Sequence, residues 1–421
     1  MNALLTDLDA RGLIHDSTDR AMLGARLDER PIAVYVGFDP TADSLHAGNL
    51  LGQVMLRRFQ LAGHKPVVLA GGATGMVGDP GGRSEERNLL DRETLAHNVR
   101  CVKSQLEKIL EFDGPSAARL VDNADWTAPM SALEFLRDVG KHFTVNQMVA
   151  KESVRARMES ENGISYTEFS YMLLQANDFR HLCEHENVEM QMGGSDQWGN
   201  ITAGIDLIRR RTAKSAFGLT WPLLTRSDGQ KMGKSVHGAL WLDPSKTSPY
   251  HVRLYWIQLP AEDVERFLLQ LTLRPVAEIA DLVAQHRSDP GRRLAQRALA
   301  HDVTALVHGD AAERAAADAA EVLFGGDPTT ASADALAVVA LEVPSSKVTK
   351  ALLDDLFTLL QASGLASSNG DARRGLQQKA FRANGQVLEE GRGLSEVAPL
   401  HGRFVLLRKG KTNFHLLEIA D

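Results

Sequence analysis

The chain has 421 residues, which is too long for one compact core, so we expect two or three domains. Hydrophobic residues make up 43% and charged residues 24%, values that are ordinary for a globular protein. No apolar run is long enough to cross a bilayer, so we expect no membrane association. The net charge of −7 argues weakly against a nucleic-acid partner, although residues 341–421 carry 11 basic and 9 acidic side chains. Residues 341–421, the C-terminal tail, are therefore slightly basic, whereas the rest of the chain is acidic.

The cysteines and the N-terminus indicate the cellular compartment. Only Cys101 and Cys183 are present, with no CxxC and no Cys/His cluster, so neither a disulfide framework nor a structural metal site is expected. The first 20 residues contain acidic side chains and no long apolar core, which does not fit a signal peptide. We predict a cytoplasmic protein.

The first half of the chain alternates between strand-like and helix-like segments. Ile32–Phe38 is a predicted strand, Gly48–Ala62 a helix and Pro66–Gly71 a second strand, which together form a βαβ unit. The further predicted elements are Thr94–Leu110, Ala118–Asp122, Glu168–Cys183, Val188–Met192, Asn200–Arg211 and Leu219–Leu224. This pattern predicts an α/β domain with a Rossmann-like parallel sheet over residues 1–224.

The remainder of the chain changes character twice. Residues 225–324 hold a Gly-rich loop followed by amphipathic helices, and we assign them to a helical domain. Residues 325–340 are mostly small and polar, and they predict a linker. Residues 341–421 contain helix-like stretches and then the short strands Phe404–Arg408 and Phe414–Ile419, which predict a small α+β domain.

A possible phosphate site follows the first predicted strand. A helix that begins near Gly48 leaves backbone N–H groups unpaired at its N-terminus, and these suit a phosphate. His46 can donate a hydrogen bond to a phosphate, and the Thr41 hydroxyl can add a second contact. An N-capping loop with Asp43 or Ser44 as the cap explains the same residues equally well.

A second possible phosphate site lies in the Gly-rich loop. Lys231 and Lys234 are three residues apart and can close around a leaving pyrophosphate. Alone, such a loop is more often a solvated surface loop, so its weight comes from the pairing with His46. No GxxxxGK[ST] occurs, and Gly72–Gly78 is spaced GxxGxxG, so a P-loop is absent and a dinucleotide site is poorly supported.

Several motifs resemble one known family. His46-Ala47-Gly48-Asn49 resembles the HIGH signature of class I aminoacyl-tRNA synthetases, and Lys231–Ser235 resembles their KMSKS signature. YVGFDPT at 35–41, GSDQWGN at 194–200 and the segment 166–178 resemble the bacterial-type tyrosyl-tRNA synthetases. Asn49 replaces the last histidine of HIGH and Gly233 the first serine of KMSKS. Asn49 can still donate a hydrogen bond, and Gly233 costs no lysine.

The resemblance implies an activity and its partners. It implies a ligase that activates L-tyrosine with ATP to tyrosyl-adenylate and pyrophosphate, and then transfers tyrosine to the 3′-terminal adenosine of tRNA(Tyr). Mg²⁺ is expected to arrive with ATP, with no structural metal, and family members are homodimers. The resemblance implies that the leaving pyrophosphate is stabilised by four catalytic residues, Thr41, His46, Lys231 and Lys234.

The resemblance also assigns a tyrosine pocket. Tyr171, Gln175 and Asp178 share one face of a predicted helix, a pattern that is more often a solvated stripe than a pocket. The resemblance instead implies that Tyr171 and Gln175, with Asp79, hold the ammonium group, and that Asp178 and Tyr35 hydrogen-bond the phenolic hydroxyl. Gln197, with Gln191, would lie near the substrate carboxylate or amino group.

The resemblance assigns an ATP site as well. Asp196 would hold the adenosine ribose, although a turn at Gly193-Gly194 with Asp196 as an N-cap also fits the spacing. The implied ATP-binding residues are Gly37, Asp39, His46, Gly48, Asn49, Gly194, Asp196, Lys231, Lys234 and Ser235.

The tail resembles a small RNA-binding fold first described in a ribosomal small-subunit protein. Arg373, Arg374 and Lys379 lie in the segment 365–387 that carries this resemblance, and they could contact phosphates. A helix with a solvated charged face is the alternative. Two other functions also stay open: an RNA-binding or regulatory protein that has lost catalysis, and activation of tryptophan or another aromatic amino acid.

Overall fold

The computed structural model describes residues 2–80, 90–159, 163–227, 229, 232, 234–235, 238–391 and 393–420. For residues 152, 153, 234, 235 and 238 only the backbone is described. The chain forms two compact units, one of Met1–Thr247 with Ile257–Val307 and one of Ser248–Trp256 with His308–Asp421. In the part of the chain described here, no helix is long and apolar enough to cross a bilayer.

A five-stranded, wholly parallel sheet forms the centre of the first unit. Its strand order is β3-β2-β1-β4-β5, so the order reverses direction between β1 and β4. In open sheets of this kind, ligands bind at the carboxyl ends of the strands where the order reverses. The strands are β1 (Ala33–Phe38), β2 (Lys65–Ala70), β3 (Arg119–Asp122), β4 (Val188–Gly194) and β5 (Phe217–Trp221).

Helices α3 and α9 contribute the α-helical residues that line the site described below. α3 is buried along most of its length, as expected for a helix whose apolar side chains recur on nearly every face. The helices up to α10 are α1 (Ala3–Ala10), α2 (Arg20–Glu29), α3 (Ala47–Leu61), α4 (Arg92–Leu106), α5 (Ala124–Thr127), α6 (Ala132–Asp138), α7 (Val145–Val149), α8 (Glu152–Met158), α9 (Tyr166–His185) and α10 (Trp198–Thr212).

A short hairpin and a helical stretch follow the sheet. The hairpin pairs β6 (Lys234–Ser235) with β7 (Gly238–Ala239). The helices that follow are α11 (Pro249–Ile257), α12 (Ala261–Leu271), α13 (Val276–Ser288), α14 (Leu294–His308) and α15 (Asp310–Leu323).

The second unit contains a mixed sheet with helices. Its strand order is β10-β9-β11-β12-β8, in which β8 pairs parallel to β12 and the other pairs are antiparallel. The remaining elements are α16 (Ala333–Glu342), β8 (Ser345–Thr349), α17 (Leu356–Ala362), α18 (Asn369–Gln377), β9 (Phe381–Ala383), β10 (Gln386–Val387), β11 (Phe404–Lys409) and β12 (Asn413–Ala420).

The predicted fold class is confirmed: a Rossmann-like parallel sheet, a helical stretch and a C-terminal α+β unit. The prediction of a linker over 325–340 is wrong at its C-terminal end, because α16 begins at Ala333. Ser332 caps this helix by accepting from the Ala335 N–H, and Leu336 and Val339 are fully buried. Small residues that indicate a linker in isolation also pack closely against a neighbouring helix. The domain boundaries stay a prediction.

Candidate active site

A cavity of about 350 Å³ opens at the carboxyl ends of β1 and β4, where the strand order reverses. It lies entirely in the first unit. The predicted site residues that line it are Tyr35, Gly37, Asp39, Thr41, His46, Gly48, Asn49, Asp79, Tyr171, Gln175, Asp178, Gly194, Asp196 and Gln197. Predicted residues from two separate stretches of the sequence, 35–79 and 171–197, therefore meet at one cavity.

Tyr35 and Asp178 supply two buried polar groups to this cavity. Tyr35 is 1% exposed, and its hydroxyl has no hydrogen-bond partner among the described residues. Asp178 accepts hydrogen bonds from Asn123 Nδ2 at 2.9 Å and from Trp126 Nε1 at 2.8 Å. A buried hydroxyl without a partner costs free energy, so the site favours a ligand that carries a hydrogen-bonding group to this place.

Burial dominates the protonation of both groups. It raises the pKa of Asp178 to about 7, because loss of solvation outweighs the two donated hydrogen bonds, which lower the pKa. Asp39 and Asp122 raise the pKa of Asp178 further by charge repulsion. Burial, and then the charge of Asp178, raise the pKa of Tyr35 well above its usual range. The Tyr35 phenol is thus neutral near pH 7 and can donate a hydrogen bond.

A network of amides and carboxylates lines another part of the cavity. Gln197 Nε2 donates to Asp79 at 2.6 Å, and Gln175 Nε2 donates to Gln197 Oε1 at 3.2 Å. Tyr171 Oη donates to Asp39 Oδ2 at 2.9 Å. The carboxylates of Asp39 and Asp79 make this part suitable for a cationic group. Tyr171 and Gln175, predicted on one helix face, both point into the site.

His46 forms the N-cap of α3. Its Nδ1 accepts the Gly48 N–H at 3.0 Å, and the Asn49 side chain accepts the His46 N–H at 3.1 Å. Because Nδ1 accepts, a neutral ring carries its proton on Nε2, where it can donate to a ligand. The sequence left open a cap at Asp43 or Ser44, and the structure places the cap at His46. Asn49 completes this cap, and a contact between Asn49 and ligand stays a prediction.

The Gly-rich loop that contains Lys231 and Lys234, called the lysine loop below, is only partly described. Lys231 lies outside the described residues, and for Lys234 and Ser235 only the backbone is described, in β6. The chain after the hairpin pairs with the start of α3, since Ala47 N–H donates to Leu240 at 2.9 Å and Leu242 N–H donates to Leu45 at 2.9 Å. The backbone of Lys234 therefore lies a few residues along the chain from a segment hydrogen-bonded beside His46.

Asn123, Trp126 and Thr74 also belong to this hydrogen-bond network and were not predicted from the sequence. Asn123 follows the carboxyl end of β3 and joins Asp178 to Thr74, whose hydroxyl donates to Asp39 at 2.8 Å. A polar residue directly after a parallel strand is a signal that could have found Asn123. Trp126 carries no such signal, because its contact with Asp178 depends on tertiary structure.

The predicted RNA-binding residues lie in the second unit. Arg373, Arg374 and Lys379 are all exposed, the first two on α18. Arg373 pairs with Glu390 at 2.7 Å and lies over the Phe357 ring. An arginine that already has a carboxylate partner is less available to a phosphate, so Arg374 and Lys379 are the stronger candidates.

Comparisons with known proteins agree with these features. The family described as class I tRNA synthetases (W and Y) matches residues 27–325, and the tyrosine–tRNA ligase SYY-like C-terminal domain matches residues 336–417. A tyrosine–tRNA ligase of Opitutus terrae is 52% identical over 99% of this chain and 100% of its own length. One of Rhodopirellula baltica is 50% identical over 100% of this chain and 97% of its own length.

A solved structure gives the same result. A C-terminally truncated mitochondrial tyrosyl-tRNA synthetase of Aspergillus nidulans is 31% identical, has a TM-score of 0.69, and covers 77% of this chain and 95% of its own. The fold is that of a class I aminoacyl-tRNA synthetase, and the chain belongs to the family of class I tRNA synthetases (W and Y). Within that family it groups with the tyrosine–tRNA ligases, which confirms the predicted family and enzyme class.

Proposed function

We propose that this chain activates L-tyrosine with ATP and transfers the tyrosyl group to tRNA(Tyr). The observation that carries the proposal is the pair of buried groups, the Tyr35 hydroxyl and the Asp178 carboxyl, in a cavity at the switch point of the sheet. A phenol can donate to the carboxylate of Asp178 and accept from Tyr35. Phenylalanine would leave the buried Tyr35 hydroxyl unpaired, at a cost of about 1–3 kcal/mol, and would add no hydrogen bond to Asp178.

The opposite end of the substrate fits the network of amides and carboxylates. The tyrosine ammonium group would be held by Asp79, Tyr171 and Gln175, and Gln197 would lie near the amino or carboxylate group. The hydrogen bond from Gln197 to Asp79 supports this arrangement, because it orients the Asp79 carboxylate within the cavity. Gln191 is buried, and its Oε1 has no hydrogen-bond partner among the described residues, so it offers one further acceptor.

ATP would occupy the part of the cavity at the start of α3. A tyrosine carboxylate oxygen attacks the α-phosphorus, the bond from the α-phosphorus to the bridging oxygen breaks, and pyrophosphate leaves. The developing charge would be stabilised by His46 Nε2–H, Thr41 and the two loop lysines. Mg²⁺ is expected to arrive on the ATP phosphates, which need no dedicated protein cage.

The remaining ATP contacts follow the shape of the cavity. Gly37, Gly48 and Gly194 leave space for close approach of the nucleotide, while Asp39, Asn49 and Asp196 offer polar groups around it. Ser235 would join the lysines at the phosphates. In the second step a terminal ribose hydroxyl of the tRNA attacks the tyrosyl carbonyl carbon, and AMP leaves.

The experiment for this function is tyrosine-dependent exchange of labelled pyrophosphate into ATP. We expect exchange with the wild-type chain and a loss of about 100-fold in His46→Ala and in Lys234→Ala, because each removes a group that stabilises developing charge. Lys214→Ala is the matched control, since Lys214 is an exposed lysine that does not line the cavity. A wild-type chain without exchange would refute catalysis. Exchange driven by tryptophan instead would refute the choice of amino acid.

The tail would bind the tRNA. Arg374→Glu and Lys379→Glu should raise the KM for tRNA in aminoacylation and leave pyrophosphate exchange unchanged, because both residues are exposed in the second unit. Unchanged tRNA kinetics in the double variant would refute a role for these two side chains.

We also propose a homodimer formed through a segment of residues 132–159 and 163–166. This segment carries exposed large apolar side chains, among them Leu133 at 79% and Tyr166 at 73%, which is unusual for a free surface. Leu133→Lys should shift the molecular mass measured by light scattering from dimer to monomer. The control is Leu341→Lys, which changes an equally exposed leucine outside the segment. A wild-type monomer would contradict the proposal.

A cytoplasmic location agrees with the state of the cysteines. Cys101 and Cys183 are both free, and Cys183 is buried. Free thiols of this kind suit a reducing compartment.

A further inference from the structure

Helix α12 holds the chain just ahead of the lysine loop. Ser227 N–H donates to both carboxylate oxygens of Asp263, at 3.0 and 3.1 Å. Arg266 pairs with Asp263 at 2.7 Å and donates to the Thr225 carbonyl. We call Thr225 and Ser227 the loop stem. Two side chains of one helix thus fix both residues of the loop stem, four to six residues before Lys231.

The burial of Asp263 shows how closely the loop stem is held. Asp263 is 1% exposed, and a buried carboxylate is costly unless donors surround it. Its donors here are the Ser227 N–H, the Ser227 hydroxyl at 3.1 Å and the Arg266 guanidinium. An acidic residue in the first helical turn gains stability from the helix dipole without any such contacts. The helix dipole alone therefore does not explain why Asp263 is directed toward the loop stem.

The other end of α12 contacts the helix that begins after His46. Arg58, on α3, is 6% exposed and donates to the Leu269 and Thr272 carbonyls at the C-terminal end of α12. Burial lowers the pKa of Arg58 to about 10, still far above neutral pH, so its charge is retained. Helix α12 thus contacts α3 at its C-terminal end and the loop stem at its N-terminal end.

We propose that Asp263 and Arg266 are positioning residues for the pyrophosphate-binding lysines of the loop. This inference rests on the proposed function, in which Lys231 and Lys234 stabilise the leaving pyrophosphate. Stabilisation of charge in a transition state needs groups that are already in place, and small displacements are expensive. Because Asp263 and Arg266 fix Ser227 and Thr225, they set the point from which the chain continues toward Lys231 and Lys234.

The first test separates chemistry from substrate binding. Asp263→Asn and Arg266→Gln should lower kcat for pyrophosphate exchange by about 10-fold to 100-fold, the range expected for losing hydrogen bonds to a charged group. The Kd for tyrosine, measured by equilibrium dialysis, should not change. Arg287→Gln is the control, because it breaks the exposed Arg287–Glu265 pair of α13 and α12 without touching the loop stem. An unchanged kcat in both variants, or an equal weakening of tyrosine binding, would overturn the proposal.

The second test asks whether the effect passes through the lysines. Asp263→Asn is added to Lys234→Ala and to a Lys231→Ala, Lys234→Ala background. If the pair acts by placing the lysines, it has little further effect once both are gone. Losses that multiply in that background would show a general structural role and refute the proposal. Should Asp263→Asn be poorly folded, Arg266→Gln takes its place, because that side chain is 41% exposed and its loss leaves no buried gap.

The proposed role of the lysines and the positioning role of Asp263 and Arg266 are refuted by different outcomes. If the lysine variants alone keep full exchange, the assigned role of the lysines is wrong and the positioning proposal falls with it. If the lysine variants lose exchange while the Asp263 and Arg266 variants do not, only the positioning proposal falls.

Discussion

Two opposing effects determine the protonation of Asp178, a residue that lines the cavity. Its two donors, Asn123 and Trp126, stabilise the carboxylate, whereas burial destabilises it and raises the pKa to about 7. The Tyr35 hydroxyl has no partner among the described residues. The cavity therefore contains polar groups whose hydrogen bonds a phenol can complete, and this is a physical basis for selecting tyrosine.

Trp126→Phe tests the contribution of one donor. The variant loses the Nε1–H that donates to Asp178, while a phenyl ring can still stack on His181, whose ring lies 4.3 Å from that of Trp126. Because hydrogen bonds to charged groups contribute about 1.5–3 kcal/mol, the KM for tyrosine in exchange should rise at least about 10-fold. His181→Phe, which keeps both the donor and a stacked ring, should behave as wild type. An unchanged KM in Trp126→Phe would contradict this.

The protonation of Asp178 predicts a pH dependence of stability. The folded chain keeps this proton up to about pH 7, whereas the reference pKa of the carboxyl is 3.8. The folded state thus binds more protons between these values, and this group's contribution to stability falls as pH rises through the window. Asp178→Asn has no such proton, so its free energy of unfolding should decline less from about pH 4 to about pH 8, by at most about 4 kcal/mol. Parallel urea-unfolding curves for both proteins across that range would refute the assignment.

At this scale the sequence was informative about residue identity and less about partners. Tyr35 and Asp178 were predicted from a resemblance, and the structure brings both to one cavity. The donors of Asp178 could not be predicted in the same way. Trp126 lies 52 residues from Asp178 along the chain, and only packing against α9 brings its N–H to the carboxylate.

The N-terminal end of helix α3 is also part of the candidate site. His46 is at once the N-cap of α3 and a candidate donor to phosphate, and the cap determines the tautomer of the ring. Gly48 allows this arrangement, because a Cβ at that position would lie 2.8 Å from His46 Cε1. The requirement for glycine here is steric and concerns the position of the imidazole ring.

Gly48→Ala should therefore separate activity from stability. Alanine is favoured over glycine in a helix by up to about 1 kcal/mol, so the Tm should not fall. The new methyl group must displace the His46 ring, and a shift of this kind should lower kcat for exchange by at least about 10-fold. Thermal unfolding and exchange measured on the same preparation would test both halves. A variant with wild-type kcat would show that the ring has room to move without loss.

The secondary structure of the first unit followed closely from periodicity. All five parallel strands appear near their predicted bounds, and most of them are apolar runs between turn-forming residues. The short helices α5 to α8 were not predicted, since four to seven residues carry too little periodicity. The hairpin of β6 and β7 was missed for the same reason.

At the largest scale, the second unit includes the residues that were predicted to form a linker. In the second unit, Ala316 and Ala319 of α15 share one buried cluster with Leu336 of α16 and with Phe404 and Leu416 of the sheet. Ala316 and Ala319 precede the predicted linker, Leu336 lies within it, and the two sheet residues follow it. The C-terminal sheet is therefore packed against helices that precede it in the chain, and its removal would expose apolar surface.

Truncation after Glu342 tests this organisation. The described cavity residues all precede residue 248, so pyrophosphate exchange should persist, whereas aminoacylation should fall because the candidate RNA-binding residues are gone. The exposed faces of α15 and α16 should bind a hydrophobic dye and promote aggregation. A shorter chain that ends at Gly309 lacks both helices and should bind less dye than the first truncation. If the chain ending at Glu342 binds no more dye than the full-length protein, the cluster does not depend on the C-terminal sheet.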